Sequence, residues 1–597
     1  MRRFLTLAAG LLGGAIPVLA QSVPPSFTAT VTVTATAVEE PADGVPVAVD
    51  VLDATAIEAR QTLDAVDLLR TIPGLEVVRT GSPGKAASLF TRGTNSSHTL
   101  VLWNGVALND PYLGGFDFST LSTDGAARLE VVRGPYSALY GSSAVGGVVQ
   151  VVTGGGAAPR GRVRVEAGSD ELFSAQASGR FRLGRLDADL AGHLRQGEGV
   201  VANDFYDGDE LALALHYDLG SGARLGALAR RVSAEIGIPY GYDGAPTPAR
   251  RQLSDATTLA LPFDWSSGAW LVEANAAATA TDLSVADPAD PFAASDADAR
   301  REQARLLVRR ELGSGVALAA GGDWQRDRVE SSSAFGAALD GEEQRTGAGF
   351  LQGSFTRDRF RLDAGVRRDE SDTFGGATSL RAAAAFQATT GLRLRAGYGE
   401  SFRAPSLADL YYPGFSNPDL QPERGASWEL AVEGERGPWS FVVAAFENRL
   451  DELIEFDFAT FTPQNLGRAR ARGIEASLGV RAGAVDARLA VTRLDAEDLA
   501  TGRPLLRRPD WSSSLTAFWR PGAWTLGAIG RYVGDRIDFG DVALDPYATL
   551  DLSLAWQARG WLEPFLRVVN VADAAFEEAA GFPAPGRTFA AGCALRF

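Results

Sequence analysis

The sequence has little cysteine, little histidine and no basic surplus, and each scarcity excludes a class of protein. Cys593 is the only cysteine, so no intrachain disulfide can form. The three histidines, His98, His193 and His216, are scattered and lack metal-ligand spacing, which argues against catalysis. The formal charge of −17 argues against a nucleic-acid partner, because phosphate binding needs a basic surface.

Long apolar runs are also missing, except at the N-terminus. Arg2 and Arg3 precede an apolar stretch that ends with Leu19 and Ala20. This pattern predicts a secretory signal peptide over residues 1–20. A membrane anchor is the alternative, but the stretch is short and contains glycines and Pro17. After this stretch the sequence contains no run of about eighteen apolar residues, the length that a membrane-spanning helix needs.

Three zones follow the signal peptide. Residues 21–40 are rich in Pro, Thr, Val and Ala, and they are too few to form a domain. Residues 41–156 have mixed α/β patterning, and residues 157–597 are all-β in character.

The mixed zone contains strand, helix and turn signals. Thr62 is expected to cap a helix whose apolar positions recur at three-residue spacing until Pro73 and Gly74 end it. Asn104 and Gly105 form a strong turn signal. Strands are predicted at Val47–Leu52, Leu75–Arg79, Ser88–Arg92 and Thr99–Trp103.

From residue 157 onwards apolar and polar residues alternate. In residues 186–195, for example, the leucines share one face while the charged residues share the other. A soluble sandwich also alternates, but here the pattern persists over about 440 residues without helices to cover a sheet. At about twenty residues per strand and connection, this length predicts a transmembrane barrel of about 22 antiparallel strands. The mean hydropathy of −0.04 is compatible with a barrel.

Several ordered motifs resemble TonB-dependent outer-membrane receptors. In the mixed zone they are RLEVVRGPYSALYGSSAVGGVVQVVT (Arg128–Thr153), TIPGLEVV (Thr71–Val78) and TRGTNSSHTLVLWNGVALNDP (Thr91–Pro111). In the barrel zone, the segments from Gly397, Asn465 and Arg567 also match. RGTNSSHTLVLWNGV, SNPDLQPE and PLLRRPD most resemble the cobalamin (vitamin B12) receptor branch, from which Trp103-Asn104 departs. The resemblance implies that the mixed α/β zone is a plug domain inside the barrel lumen.

The resemblance also implies an energy-coupling partner. Residues 30–35 look like a TonB box, with a branched alternating pattern that can add a strand to a partner sheet; they are Thr30, Val31, Thr32, Val33, Thr34 and Ala35. The implied partner is TonB, the energy-coupling complex of the inner membrane. A Thr-rich disordered linker is the alternative interpretation.

Four charged residues lie in motifs where the family pairs plug with barrel: Arg92, Arg133, Glu429 and Glu475. A buried guanidinium–carboxylate pair adds little net stability, but loss of one partner leaves a costly buried charge. Such pairs are expected to hold the plug in register. Alternatively, each glutamate faces water in the lumen.

Similarity places two plug loops towards the ligand. We expect substrate contacts from Ser82, Lys85, Asn109, Tyr112 and Phe116, whose mixed polar and aromatic character suits a corrin with amide arms. They could instead be solvated loop tips. No resident cofactor is predicted except for possible calcium, because an acidic loop has carboxylates at suitable spacing; its candidate ligands are Asp204, Asp207 and Asp209. A solvated acidic turn is the competing interpretation.

The sequence therefore predicts a non-enzymatic, TonB-dependent outer-membrane receptor for active import of a large, scarce nutrient. Cobalamin or a related corrinoid is the favoured ligand and a ferric siderophore the alternative. A passive porin and a soluble secreted β-protein or adhesin remain other classes. Expected partners are TonB, outer-membrane lipid and the barrel-assembly machinery, whose signal the C-terminal Phe597 resembles. The chain is expected to be a monomer.

Overall fold

The computed structural model describes residues 32–33, 40–41, 44–62, 64–154, 160–241, 244–457 and 459–597. The predicted signal peptide lies outside the described residues. Within them, no helix has the length and apolar character needed to cross a bilayer.

The N-terminal part forms a plug around a five-stranded sheet. Its strand order is β3-β8-β9-β6-β7, with β4 and β5 as a separate hairpin and β1 paired with β2. The strands are β1 (Thr32–Val33), β2 (Glu40–Pro41), β3 (Ala48–Asp53), β4 (Leu75–Arg79), β5 (Ala87–Thr91), β6 (Thr99–Trp103), β7 (Val106–Ala107), β8 (Ala126–Arg133) and β9 (Gly147–Thr153). The plug helices are α1 (Ala54–Arg60), α2 (Ala65–Leu69) and α3 (Ser137–Tyr140).

The predicted strands of the plug are found with shifts of at most one residue. The predicted helix is shorter than expected and has a different cap, so the assignment of Thr62 is wrong. Asp64 caps α2, because its carboxylate accepts a hydrogen bond from the Asp67 amide at 3.1 Å. Sequence reasoning missed α1, whose cap is Asp53.

The predicted turn between β6 and β7 is confirmed. Asn104 and Gly105 have φ values of 48° and 80°, as a two-residue type I′ hairpin requires. The Asn104 side chain also accepts a bond from the Thr153 amide at 2.8 Å, which ties the turn to β9.

The remaining chain forms a closed barrel of 22 antiparallel strands, which confirms the predicted fold. The first strand, β10, closes the ring by pairing with the last, β35, from Arg162 opposite Arg596 to Gly168 opposite Ala590. The strands are β10 (Arg160–Gly168), β11 (Phe173–Leu183), β12 (Leu186–Gly197), β13 (Tyr206–Gly220), β14 (Ala223–Gly237), β15 (Arg251–Ser267), β16 (Trp270–Ala286), β17 (Ser295–Gly313), β18 (Val316–Ser333), β19 (Gly336–Arg357), β20 (Phe360–Ser371), β21 (Gly375–Thr389), β22 (Leu392–Arg403), β23 (Glu423–Arg436), β24 (Trp439–Asp457), β25 (Thr462–Ala482), β26 (Val485–Asp498), β27 (Trp511–Trp519), β28 (Trp524–Val533), β31 (Tyr547–Trp556), β32 (Leu562–Val569) and β35 (Thr588–Arg596).

The two rims of the barrel differ. At the rim that holds both barrel ends, every connection has two to five residues. At the opposite rim, residues 404–422 include a helix, α4 (Leu407–Tyr411), and two other connections hold short strand pairs. These pairs are β29 (Arg536–Asp538) with β30 (Val542–Leu544), and β33 (Glu577–Ala579) with β34 (Phe582–Pro583). Short turns mark the periplasmic side of such barrels and longer loops the extracellular side.

The outer wall carries exposed apolar side chains, as a lipid-facing surface requires. Near the periplasmic rim several are aromatic, namely Trp439, Trp519, Trp524, Trp556 and Phe597. The main buried core lies inside the plug and reaches the barrel only at small or branched residues of neighbouring strands, such as Ala212, Ala214 and Leu228. Smaller apolar clusters and a series of ion pairs make the other plug–barrel contacts.

Candidate plug–barrel and ligand sites

The four predicted ion-pair residues meet where the plug contacts the barrel wall. Arg92 follows β5 and donates from Nε to Glu475 Oε1 at 2.8 Å and from Nη2 to Glu429 Oε2 at 2.5 Å. Arg133, at the end of β8, donates to Glu475 Oε2 at 2.6 Å. The structure therefore places two plug cations on two barrel carboxylates; we refer to Arg92, Arg133, Glu429 and Glu475 as the charge quartet.

The backbone around Gly74 makes room for the quartet. Gly74 has a φ of 77°, and a Cβ there would lie 1.9 Å from Glu475 Oε1. Its carbonyl accepts the Arg92 amide at 2.7 Å, and its amide donates to Thr492 at 2.8 Å. Only glycine combines this conformation with so close a carboxylate.

The quartet extends to residues that sequence reasoning missed. Asp50 on β3 accepts from Arg133 at 2.5 Å and from Arg488 of the barrel at 2.6 Å. Burial would lower the pKa of the Arg92 guanidinium, but Glu475 and Glu429 raise it above its usual value. Burial would likewise raise the pKa of Asp50, yet Arg488 and Arg133 hold it below its usual range. Arg92 and Asp50 therefore stay ionised.

The first predicted ligand loop is occupied by contacts within the chain. Ser82 donates to Asp204 Oδ2 at 2.5 Å. Lys85 donates to the carbonyls of Phe205 and Gly237, both at 2.7 Å. Both side chains are buried, and burial lowers the pKa of Lys85 more than Asp204 raises it. These residues fasten the plug apex to β13 and β14 instead of presenting donors to a ligand.

The second predicted ligand loop divides into buried and accessible residues. Asn109 is buried, and its side chain bonds the backbone of Val101 and Thr99 at 2.9 and 3.0 Å. Tyr112 and Phe116 are half-buried, and Leu113 between them is 57% exposed. Of the five predicted contact residues, only the two aromatic ones keep accessible surface.

The structure does not bring the predicted calcium ligands together. Asp204 is buried against the plug, where its Oδ2 accepts from Ser82, whereas Asp207 and Asp209 are exposed on the other face of β13. Alternation along the strand separates the faces. Among the described residues, no group of three or more His, Cys, Asp or Glu side chains is placed to hold a metal ion.

Part of the predicted TonB box is described. Thr32 and Val33 form β1 and pair with β2, while the other four residues of the box lie outside the described residues. Glu40 in β2 accepts from Arg309 at 2.8 Å and from Arg361 at 2.5 Å, both on the barrel wall. The segment after the box is therefore held at the periplasmic opening.

Two of the three histidines, His98 and His193, lie at the plug–barrel contact. His98 is buried and bonds Glu423 at 2.5 Å, with its Nδ1 accepting from the Asn95 amide. His193 lies 2.8 Å from Asp124 of the plug.

Comparison with known proteins places this architecture in a family. The model for "TonB dependent receptor-like, beta-barrel" matches residues 166–571, and the "TonB-dependent Receptor Plug Domain" matches residues 41–148. Members of this family bind small-molecule ligands, interact with TonB and are not enzymes.

Solved structures of the same fold cover nearly the whole chain. The copper transporter OprC is 18% identical with a TM-score of 0.80, covering 92% of this chain and 100% of its own. A variant of the ferric enterobactin receptor PfeA from Pseudomonas aeruginosa is 18% identical with a TM-score of 0.79, covering 92% and 98%. The siderophore receptor PiuA from Acinetobacter baumannii is 15% identical with a TM-score of 0.79, covering 94% and 98%. With a closed 22-stranded barrel and a matching plug, the chain belongs to the TonB-dependent receptors of the outer membrane.

Proposed function

We propose that this receptor imports a neutral, amide-rich chelate, with cobalamin or a related corrinoid as the first candidate. The main support is the charge of its extracellular rim. The connections at that rim contain eighteen Asp or Glu residues and six Arg residues. A rim of this sign repels anions and leaves a neutral ligand unaffected.

The arginines near this rim are not free to bind an anionic ligand, because carboxylates or carbonyls already bind them. Arg250 lies 3.1 Å from Asp287, Arg507 2.6 Å from Asp538, and Arg403 2.7 Å from Glu423. Arg508 donates to plug carbonyls and to Asn95. A trianionic ferric catecholate would have to displace these partners.

The side chains also argue against a bare copper ion as the ligand. Copper(I) prefers thiolate and thioether ligands, and the chain has only Met1 and Cys593 to offer. Met1 lies in the predicted signal peptide, and Cys593 is on the apolar outer face of β35 together with Leu595.

Aromatic surface is available for a flat organic ligand. Tyr112 and Phe116 remain accessible on the plug, and Phe415 on the long loop lies 6.4 Å from both Tyr412 and Phe456, measured between ring centres. Such rings pack against a macrocycle and leave its amides to solvent or backbone groups. A neutral ferric hydroxamate would suit the same rings and is the second candidate.

The decisive experiment is equilibrium binding to purified receptor in detergent. Cyanocobalamin is expected to bind, and a ferric catecholate is expected to bind much more weakly. Each measurement is repeated with calcium and with chelator. Tight binding of ferric catecholate alone would overturn the proposed ligand.

We further propose that residues 30–35 act as the TonB box. In support, β1 already pairs with β2 as an extended strand. A strand of this kind can leave β2 and pair instead with the edge strand of a sheet in TonB. Deletion of residues 30–35 is expected to abolish uptake and leave ligand binding intact, whereas equal-length replacement of residues 24–29 preserves both. Unchanged uptake after the deletion would instead favour passive flow.

A further inference from the structure

The last extracellular connection, residues 570–587, bends into the barrel instead of standing above it. It carries the strand pair β33–β34. Ala579 is fully buried and packs against Val78 and Phe90 of the plug hairpin β4–β5, with Phe582 alongside. We call this connection the lid.

A buried carboxylate attaches the lid to the plug. Glu578 contacts Arg70 through both oxygens, with Oε1 at 2.6 Å from Nη2, and its Oε2 accepts the Arg79 amide at 2.8 Å. Arg531 of the barrel lies 3.6 Å from the same carboxylate. Removing one member of such a buried cluster leaves the others uncompensated.

The lid bonds the connection at residues 534–546, which in turn pairs with the connection at residues 499–510. Arg536 donates to the Glu577 carbonyl and, at 3.0 Å, to the Asp545 carbonyl. Asp538 accepts the Ala580 amide at 2.7 Å and pairs with Arg507 at 2.6 Å. Three adjacent connections therefore form one cover over this side of the plug.

The opposite side of the mouth is covered by a different element. The connections between β18 and β19 and between β20 and β21 contain only residues 334–335 and 372–374, but α4 of the connection at residues 404–422 lies over the plug there. Its Ala408 amide donates to the Tyr112 carbonyl at 3.1 Å, and Leu407 packs with Tyr112 against β17–β19. The lid and its partner connections therefore cover the plug along the wall of β26 to β35 only.

A cavity of about 180 Å³ lies beneath the lid, between plug and barrel. Phe576, Ala584 and Pro585 of the lid and the apical plug residues Ser82 and Pro83 border it. Charged side chains of plug and barrel line the rest, including Asp64, Asp67, Arg531 and Asp551. Withdrawal of the lid would join this cavity to the extracellular mouth.

The plug residue that holds the lid is joined to the charge quartet by four residues of chain. Arg70 directly follows α2, and Pro73 and Gly74 come shortly after it. The Pro73 carbonyl accepts from Arg133 at 2.8 Å and the Gly74 carbonyl accepts from Arg92. One short segment thus contacts the lid at one end and the quartet at the other.

We propose that the lid holds the plug closed in the ligand-free receptor and must leave hairpin β4–β5 during import, which opens the cavity along the β28–β32 wall. Glu578 is the positioning residue that fastens it to Arg70. The inference depends on active import by this receptor but not on which ligand is imported.

A reversible crosslink tests whether the lid must move. In a Cys593→Ser background, Val78→Cys and Ala579→Cys place two thiols at the packed contact between hairpin and lid. The oxidised receptor is expected to bind ligand normally and to lose uptake, and reductant is expected to restore uptake. Each single-cysteine variant serves as control. Wild-type uptake by the fully oxidised protein would overturn the proposal.

A second measurement needs no ligand and therefore separates this inference from the ligand assignment. Urea is expected to displace the plug and open the barrel, and the opening is measured as ion conductance across a planar bilayer. Glu578→Gln is expected to lower the urea concentration at which conductance appears. Asp573→Asn, an exposed carboxylate of the same lid that pairs with Arg587, should leave it unchanged. Identical behaviour of the two variants would contradict a holding role for Glu578.

Discussion

At the scale of single residues, the quartet shows how burial changes the free energy lost when one member of a charge pair is removed. Glu475 is buried and accepts from both Arg92 and Arg133. On the outer surface, on the extracellular side of the outward-facing apolar residues Ile474 and Leu478, Asp495 pairs with Arg472 at 2.8 Å, but both side chains are about half exposed. Solvent screens the second pair and not the first.

We therefore predict that Glu475→Gln destabilises plug docking by about 3–5 kcal/mol, because two buried cations lose their shared anion. Asp495→Asn is the matched control, with an expected cost of about 0–1 kcal/mol. Hydrogen exchange of the β5 and β8 amides measures the opening free energy in both variants. Equal costs would show that the quartet adds nothing beyond a surface pair.

A second residue-scale prediction concerns Glu76 on β4. Loss of solvation raises the pKa of its carboxyl to about 7, with Glu578 adding to the rise and Arg531, Arg70 and Arg536 opposing it. Its ordinary value is 4.5. The folded plug therefore holds an extra proton between these two values, and raising the pH through that window destabilises it.

Protection of the β4 and β5 amides, corrected for intrinsic exchange, is expected to be lower at about pH 8 than at about pH 5.5. Glu76→Gln removes the titrating group and should flatten the difference. A pH dependence that survives the substitution would assign the effect to another group.

At the scale of elements, the apical plug loop is anchored to the barrel by one unusual side chain. Lys85 is the only lysine of the chain, and its ammonium group is buried between two barrel carbonyls and Asp204. An amine-reactive ester therefore reports directly on whether this loop leaves the barrel.

We predict that Lys85 stays unlabelled in the native receptor and is labelled after Asp204→Asn, which removes the carboxylate that holds both Lys85 and Ser82. Mass spectrometry of proteolytic fragments gives the labelled fraction, and the N-terminal amine serves as internal control. Rapid labelling of the unaltered receptor would mean that the loop is open without ligand.

Elements also show what could be read from the sequence. Strands β4 and β6 are correct to the residue because branched side chains and turn signals are local. The cap of α2 was misplaced because Thr62 and Asp64 are both good caps, and only the fold shows which carboxylate meets the Asp67 amide. The sequence predicts Ser82 and Lys85 as ligand contacts, whereas the structure buries both side chains against barrel partners more than a hundred residues away in the chain. No local pattern indicates such partners.

At the scale of the whole molecule, the charge distribution predicts how salt affects capture. The acidic extracellular rim repels an anionic chelate, and salt screens charges separated by more than about 8 Å at physiological strength. Association of a ferric catecholate should therefore become faster as salt rises, while association of cyanocobalamin should stay constant. Stopped-flow fluorescence quenching measures both rates. Slower catecholate association at higher salt would indicate that the extracellular rim attracts anions, contrary to this prediction.

The seam between β10 and β35 has a consequence for biogenesis. The ring cannot close until β35, residues 588–596, has paired with β10, so the plug cannot be fully enclosed before this last strand is in place. The connection that enters the lumen immediately precedes the closing strand. Glu578 of that connection contacts Arg70 of the plug, so we expect closure of the barrel and enclosure of the plug to occur together.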